Sequence, residues 1–259
     1  MKGFADLHLH SIHSCDAKST IDEMCQSAIE RGLEVICFTE HVDWNANDEG
    51  LDYYRYDEHT RDIQLAQDKY CGQIIVLKGI EFSEPHRYPK EFEILMEKDF
   101  DFVLGSVHYL GNTWVGDKRI LTDSTLEQVY ERYYREVLKA VQFGGFDSLA
   151  HIDVPKRYLG AKLEPVSLLE EILGELVKRR IALEINSSAI RRELTELHPS
   201  DAICSLYVKC GGNWVTTGSD AHSWERIGEH FSLISEKIAE FELQPVYFMK
   251  RQAIKIERS

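Results

Sequence analysis

Asp6-Leu7-His8-Leu9-His10 closes a short apolar run at about residues 3–8 of a 259-residue chain. Side chains alternate along a strand and residues two apart point the same way, so the run predicts that Asp6, His8 and His10 share one face. Six more apolar, β-branched runs follow at about 35–40, 74–80, 102–107, 147–151, 181–186 and 214–218, and they end as the first does. Their ends read Thr39-Glu40-His41, Gly79-Ile80-Glu81, Gly105-Ser106-Val107-His108, Ala150-His151, Glu184-Ile185-Asn186 and Gly218-Ser219-Asp220-Ala221-His222. Between the runs lie amphipathic stretches such as TIDEMCQSAIERG (20–32), STLEQVYERYYREVLKAVQFG (124–144) and VSLLEEILGELVKRR (166–180). Apolar residues near i, i+3, i+4 and i+7 make these helices, two of them opened by a Ser or Thr fit to cap. Strands alternating with helices predict an α/β chain paired in parallel through right-handed crossovers, as a doubly wound sheet or a barrel.

In a parallel barrel the C-terminal strand ends all open on one face, where active sites of such folds lie. The seven ends then converge on one pocket. Asp220 and His222 share a face by the same period of two, and imidazole with carboxylate but no nearby thiol suits Zn²⁺, Fe²⁺ or Mn²⁺. There are too many candidate ligands for one ion. Glu81 or Asp220 can bridge two, and paired ions activate a water while clamping a phosphoryl group. Each residue alone reads as an ordinary buried or surface polar group; the register of the whole set with the strands is what points to a site.

Composition narrows the field. A formal net charge of −14 repels a nucleic-acid backbone, so no nucleic acid is expected as partner. No run of 18 apolar residues appears, so no membrane span is expected. Six cysteines without a CxxC pair suit buried thiols in a reducing compartment, and the expected location is cytoplasmic. Nothing marks a linker, so residues 1–259 are expected to form a single domain. The thiols match no nucleophile arrangement. His13, His59, His86, His198 and His230 lie away from strand ends and read as hydrogen-bonded or surface histidines, with lining the site an open alternative by position for His13 and His86. Tyr53, Tyr54 and Tyr56 form either a lid or packing beneath a long loop, and Tyr130, Tyr133 and Tyr134 recur at helical spacing as core or groove contacts.

These motifs resemble the PHP superfamily, the polymerase and histidinol phosphatase family, nearly end to end. The resemblance implies a distorted (β/α)7 TIM-like barrel with a trinuclear metal centre. Its ligands would be His8, His10, Asp16, His41, Glu81, His108, His151, Asp220 and His222, with Glu81 as the bridging carboxylate. The stretches HIDVPKR (151–157), EINSSAIR (184–191) and VYFMKR (246–251) resemble the histidinol-phosphate phosphatase branch. That branch implies hydrolysis of L-histidinol phosphate to L-histidinol and phosphate by a metal-activated hydroxide, with two or three divalent ions. Arg157 and Arg191 follow the fifth and sixth strands and are expected over the metal face, where a guanidinium pairs bidentately with a phosphate dianion. Glu81, Asp220, Arg157 and Arg191 are the expected catalytic set, and a small phosphorylated molecule the substrate. Asp6 has two open roles, orienting a ligand histidine from behind or binding directly. Rival readings are a relative acting on a phosphotyrosine protein, a nucleotide or a DNA end, a non-catalytic metal-binding module, and an amidohydrolase barrel.

Overall fold

The first two helices to be drawn from the sequence owe their starts to capping boxes. Thr20 Oγ1 accepts from Glu23 N while the Glu23 carboxylate takes Thr20 N, and Thr125 with Gln128 repeats the exchange. The computed structural model describes residues 5–160, 162–192 and 194–257. Its elements run β1 (Ala5–Leu9), α1 (Ile21–Glu30), β2 (Val35–Val42), α2 (Tyr56–Lys69), β3 (Ile75–Ser83), α3 (Pro89–Met96), β4 (Phe102–Ser106), β5 (Tyr109–Leu110) and β6 (Thr113–Trp114). They continue with α4 (Leu126–Phe143), β7 (Ser148–Leu149), α5 (Lys156–Leu159), α6 (Val166–Arg179), β8 (Ala182–Asn186), α7 (Asp201–Lys209), β9 (Trp214–Gly218), α8 (Phe231–Glu240), β10 (Gln244–Met249) and β11 (Gln252–Lys255). All seven expected strands are present, as β1, β2, β3, β4, β7, β8 and β9; residues 3 and 4 of the first lie outside the described residues.

The main sheet runs β1-β2-β3-β4-β7-β8-β9-β10-β11, parallel throughout until the antiparallel β10–β11 pair. It closes on itself between its first strand and β9. His10 N donates to Ala221 O at 2.9 Å, Leu9 bridges Ala221 in parallel, and Thr217 Oγ1 donates to Ala5 O. The architecture is a distorted TIM-like barrel. Alternation then divides each strand between two apolar sets. Ile36, Phe38, Val76, Ile80, Val103, Leu149, Leu183 and Ile185 pack outward against α1, α4, α6 and α7. Ala5, Leu7, Cys37, Leu77, Phe102, Leu104 and Ala182 fill the interior.

Two features were not expected from the sequence. β10 pairs with β9 only through Gln244 and Pro245, then leaves the barrel wall to pair with β11. Val246 and Phe248 thereby join the interior set, with Phe248 stacked on Phe102 at 5.4 Å between centroids. The hairpin stoppers the N-terminal mouth. The second feature is a register shift in β1 between Asp6 and Leu9. Ala5 and Leu7 face the interior, so Asp6 faces away; the irregularity then re-aims His8 and His10 into the barrel.

Candidate metal centre

Glu81, near the end of β3, sits fully buried at the centre of the C-terminal face. Its Oε2 lies 3.1 Å from His8 Nε2, 3.2 Å from His41 Nδ1 and 3.6 Å from His10 Nε2; its Oε1 lies 3.1 Å from His151 Nε2 and 3.3 Å from His108 Nε2. One carboxylate thus meets five imidazoles from four strand ends, β1 supplying two of them. Asp220 adds a second, its Oδ1 3.6 Å from His10 and from His222 and 3.8 Å from His8. Asp220 takes φ +54°, a conformation Asp tolerates better than most residues. Asp16, half exposed, brings Oδ2 to 3.1 Å from His222 and 3.8 Å from His41. Its loop is pinned from below: Glu40 accepts Ser11 N, Ser11 Oγ and Ser14 Oγ, and Ser14 Oγ in turn accepts His41 N.

Charge within the cluster follows from these distances. Burial alone would raise Glu81 and Asp220, but His8 beside both holds each carboxyl well below the usual range, with help from His108 and Arg157 respectively. Burial together with His41, His222 and His8 holds His10 far below an ordinary histidine, so its ring keeps a lone pair to give. His10 Nε2, His41 Nδ1 and Glu81 Oε1 are buried atoms with no hydrogen-bond partner although their neighbours are close. Orphaned polar atoms are expensive in a protein interior, and a set of them on nitrogen and carboxylate oxygen converging on common points fits divalent cations. Among the described residues three triads have donor atoms within 4.8 Å of one another: His10, His41 and His222; His8, His10 and Asp220; His8, Glu81 and His151.

Above the cluster opens a cavity of about 930 Å³. Its floor includes Glu81, His108, His151 and Asp220, while Asp43, Asp48, Glu49, Asp117, Trp114 and Tyr158 stand around it. Arg157 lines it too, donating from Nη1 to Asp220 Oδ2 at 2.9 Å and Ser188 Oγ at 3.1 Å. Arg191 differs from the expectation. Its Nη1 and Nη2 donate to the backbone carbonyls of Ser219 and Asp220 at 2.8 and 2.7 Å, and it is not part of the cavity wall. Neither does Asp6 enter the pocket. It accepts Ser219 N, Ser219 Oγ and Gly228 N, tying β1 to the loop beyond β9, and burial pushes its carboxyl up to about 6.

The remaining histidines take ordinary partners: His13 with Asp62, His59 with the Tyr54 hydroxyl, His86 with Glu136 and His198 with Asp153. Tyr54 and Tyr56 pack against the core, with the Tyr56 hydroxyl meeting Asp99, whereas Tyr53 is exposed and donates to Ile12 O. Lys156 is buried and turned away, donating to Leu197 O. Sequence reasoning assigned no role to Glu184, whose Oε1 lies 2.6 Å from His8 Nδ1 and whose Oε2 accepts His151 N at 2.8 Å. Only its place at a strand end hinted at one.

The family model described as the PHP domain matches residues 6–188. The probable histidinol-phosphatase of Clostridium acetobutylicum is 31% identical over 256 residues, covering 95% of this chain and 97% of that one. The histidinol-phosphatase of Lactococcus lactis is 31% identical over 234 residues and covers 85% of each. In structure, the chain superposes on the histidinol phosphate phosphatase of Lactococcus lactis, complexed with zinc, L-histidinol and phosphate, with a TM-score of 0.87 and 26% identity. That match covers 98% of this chain and 100% of the other.

Proposed function

This chain belongs to the PHP domain family, and from that premise we propose that it is a metal-dependent phosphatase that hydrolyses L-histidinol phosphate to L-histidinol and inorganic phosphate. The observation that carries the reading is the Glu81 carboxylate ringed by five imidazoles beneath a cavity that Arg157 lines. The ligands we assign are His8, His10, Asp16, His41, Glu81, His108, His151, Asp220 and His222, holding two or three Zn, Fe or Mn ions. Bound there, such ions lower the pKa of a water and neutralise phosphate charge.

The chain's own residues do the rest. Arg157 is fixed by Asp220 and Ser188 through one nitrogen, which leaves the rest of its fork for the non-bridging oxygens of a phosphate. Catalysis of phosphoryl transfer is mainly positioning and electrostatics, and a preset cation meets both needs. We assign Arg191 the task of clamping the Ser219–Asp220 backbone, which holds Asp220 in its left-handed conformation. Asp43, Asp48, Glu49 and Asp117 around the cavity favour a substrate carrying a positive group beyond its phosphate and disfavour a polyanion such as DNA. No helix among the described residues is long and apolar enough to cross a membrane. The six unpaired cysteines support our reading of a reducing, cytoplasmic setting.

The reading is tested by measuring phosphate release from a panel of phosphomonoesters with protein of known metal content. Histidinol phosphate should lead in kcat/KM by at least about tenfold, about 1.4 kcal/mol of transition-state discrimination. Equal turnover of unrelated phosphomonoesters would remove the substrate and leave the reaction class standing.

A further inference from the structure

β8 ends with Glu184 and Asn186 buried against His8 yet supplies none of the ligands assigned above. We propose that Glu184 is a positioning residue: it fixes the His8 ring with the proton on Nδ1, so that Nε2 is the atom offered to a metal ion. The proposal rests on the reading of His8 as a ligand. His8 Nδ1 lies 2.6 Å from Glu184 Oε1, while Nε2, on the opposite edge of the ring, faces Glu81 and Asp220 at 3.1 and 3.8 Å. A carboxylate that takes the second nitrogen of a histidine sets its tautomer and makes it a better donor.

Direct ligation by Glu184 fits the geometry poorly. Its Oε1 is engaged by His8 and its Oε2 by the His151 backbone N–H at 2.8 Å, so both oxygens serve histidines that themselves face Glu81. A single buried side chain from β8 therefore sets the ring of one ligand and the backbone of another, across from β1 and β7 respectively. Space for it is made by β9. A Cβ at Gly218 would stand 2.5 Å from both Glu184 Oε1 and His8 Cβ, so any larger residue drives the pair apart. Asn186 lies beside the same ring without serving it as an acceptor: its Oδ1 is turned to Ser188 N, which leaves Glu184 to take the proton on His8 Nδ1.

Glu184→Gln is the discriminating change because it keeps the shape and alters the chemistry. The amide has one acceptor oxygen for two donors, His8 Nδ1–H and His151 N–H. If its NH2 faces His8, the ring must carry its proton on Nε2, which removes that nitrogen as a ligand; if it faces His151, the end of β7 must move. Zn²⁺ affinity, measured by competition with a chromophoric chelator, should fall by about 10- to 100-fold. The melting temperature of the metal-free protein, recorded alongside, separates this loss from general unfolding. His8→Ala is the companion variant. If it weakens Zn²⁺ binding and Glu184→Gln does not, the positioning role is wrong while the ligand reading stands; if His8→Ala leaves binding intact, the ligand reading itself fails and takes the proposal with it. Should Glu184→Gln not fold, nitrogen-15 spectra of the zinc-loaded wild type decide: a proton on His8 Nδ1 supports the proposal and a proton on Nε2 overturns it.

Discussion

At the N-terminal mouth of the barrel, Phe248 lies on Phe102 above a floor of Val246, Leu104 and Leu77, while at the C-terminal mouth of the same strands Glu81 lies among five imidazoles. The long strands between run only five to nine residues, so on β3 two periods of alternation, Leu77 to Glu81, separate a dry stopper from a charged pocket. The contrast teaches a division of labour. Apolar burial at one end supplies stability, and it offsets the cost of gathering like-charged rings and carboxylates at the other. In barrels of this kind the C-terminal ends read as chemistry and the opposite ends as stability.

If that division holds, the largest functional loss comes from the pocket. Glu81→Ala removes the one group shared by five histidines, and metal content and phosphatase activity should fall together, the activity by at least about 10³-fold or about 4 kcal/mol. Metal analysis beside phosphate release checks it; full activity with normal metal content would sink the bridging role. The stopper should behave in reverse. Phe248→Ala leaves a hole against Phe102 in the interior and should cost about 3–5 kcal/mol of unfolding free energy, read by chemical denaturation. In the fraction that remains folded, kcat/KM should stay within a few-fold of wild type. A variant that keeps its stability, or loses its chemistry while folded, would erase the distinction between the two ends.

How much of this was legible beforehand differs between the ends as well. The seven strands and the polar residues closing them were readable because both signals are local: a period of two, and a chemistry that changes at a strand's end. Asp6 was placed on the ligand face because strict alternation demands it, and the register shift in β1 is a departure that only pairing with β2 reveals. Arg191 follows its strand as expected, but its nitrogens found the carbonyls of Ser219 and Asp220, atoms every residue owns and no motif announces. Glu184 looked like any strand-end acid until His8 was seen beside it. The stopper hid for the opposite reason. VYFMKR at 246–251 entered only as a stretch resembling the phosphatase branch, and nothing in its own letters says that it leaves the wall and crosses the mouth; contacts with Phe102 and Asp101, more than 140 positions earlier, decide that.

A buried carboxyl at the stopper end makes the sharpest small test of the contrast. Asp147, just before β7, accepts Val103 N at 2.8 Å and pairs with Arg251 in the turn after β10, fastening the stopper to the wall. Burial pushes its carboxyl up to about 6 despite the pull of Arg251. Its ordinary value is 3.8, so between roughly pH 4 and 6 the folded chain binds a proton that the unfolded chain has lost. Stability from this group is therefore fully present below pH 4 and is lost as the pH rises through 6. The change is on the order of 2–3 kcal/mol at most, since one pKa unit is about 1.4 kcal/mol. Asp147→Asn cannot titrate, so whatever constant offset the lost ion pair brings, the difference in unfolding free energy between wild type and variant should slope across pH 4–6 and level off above 7. Parallel stability curves for the two proteins would show that Arg251 outweighs burial, and that the stopper, unlike the pocket, is insensitive to charge.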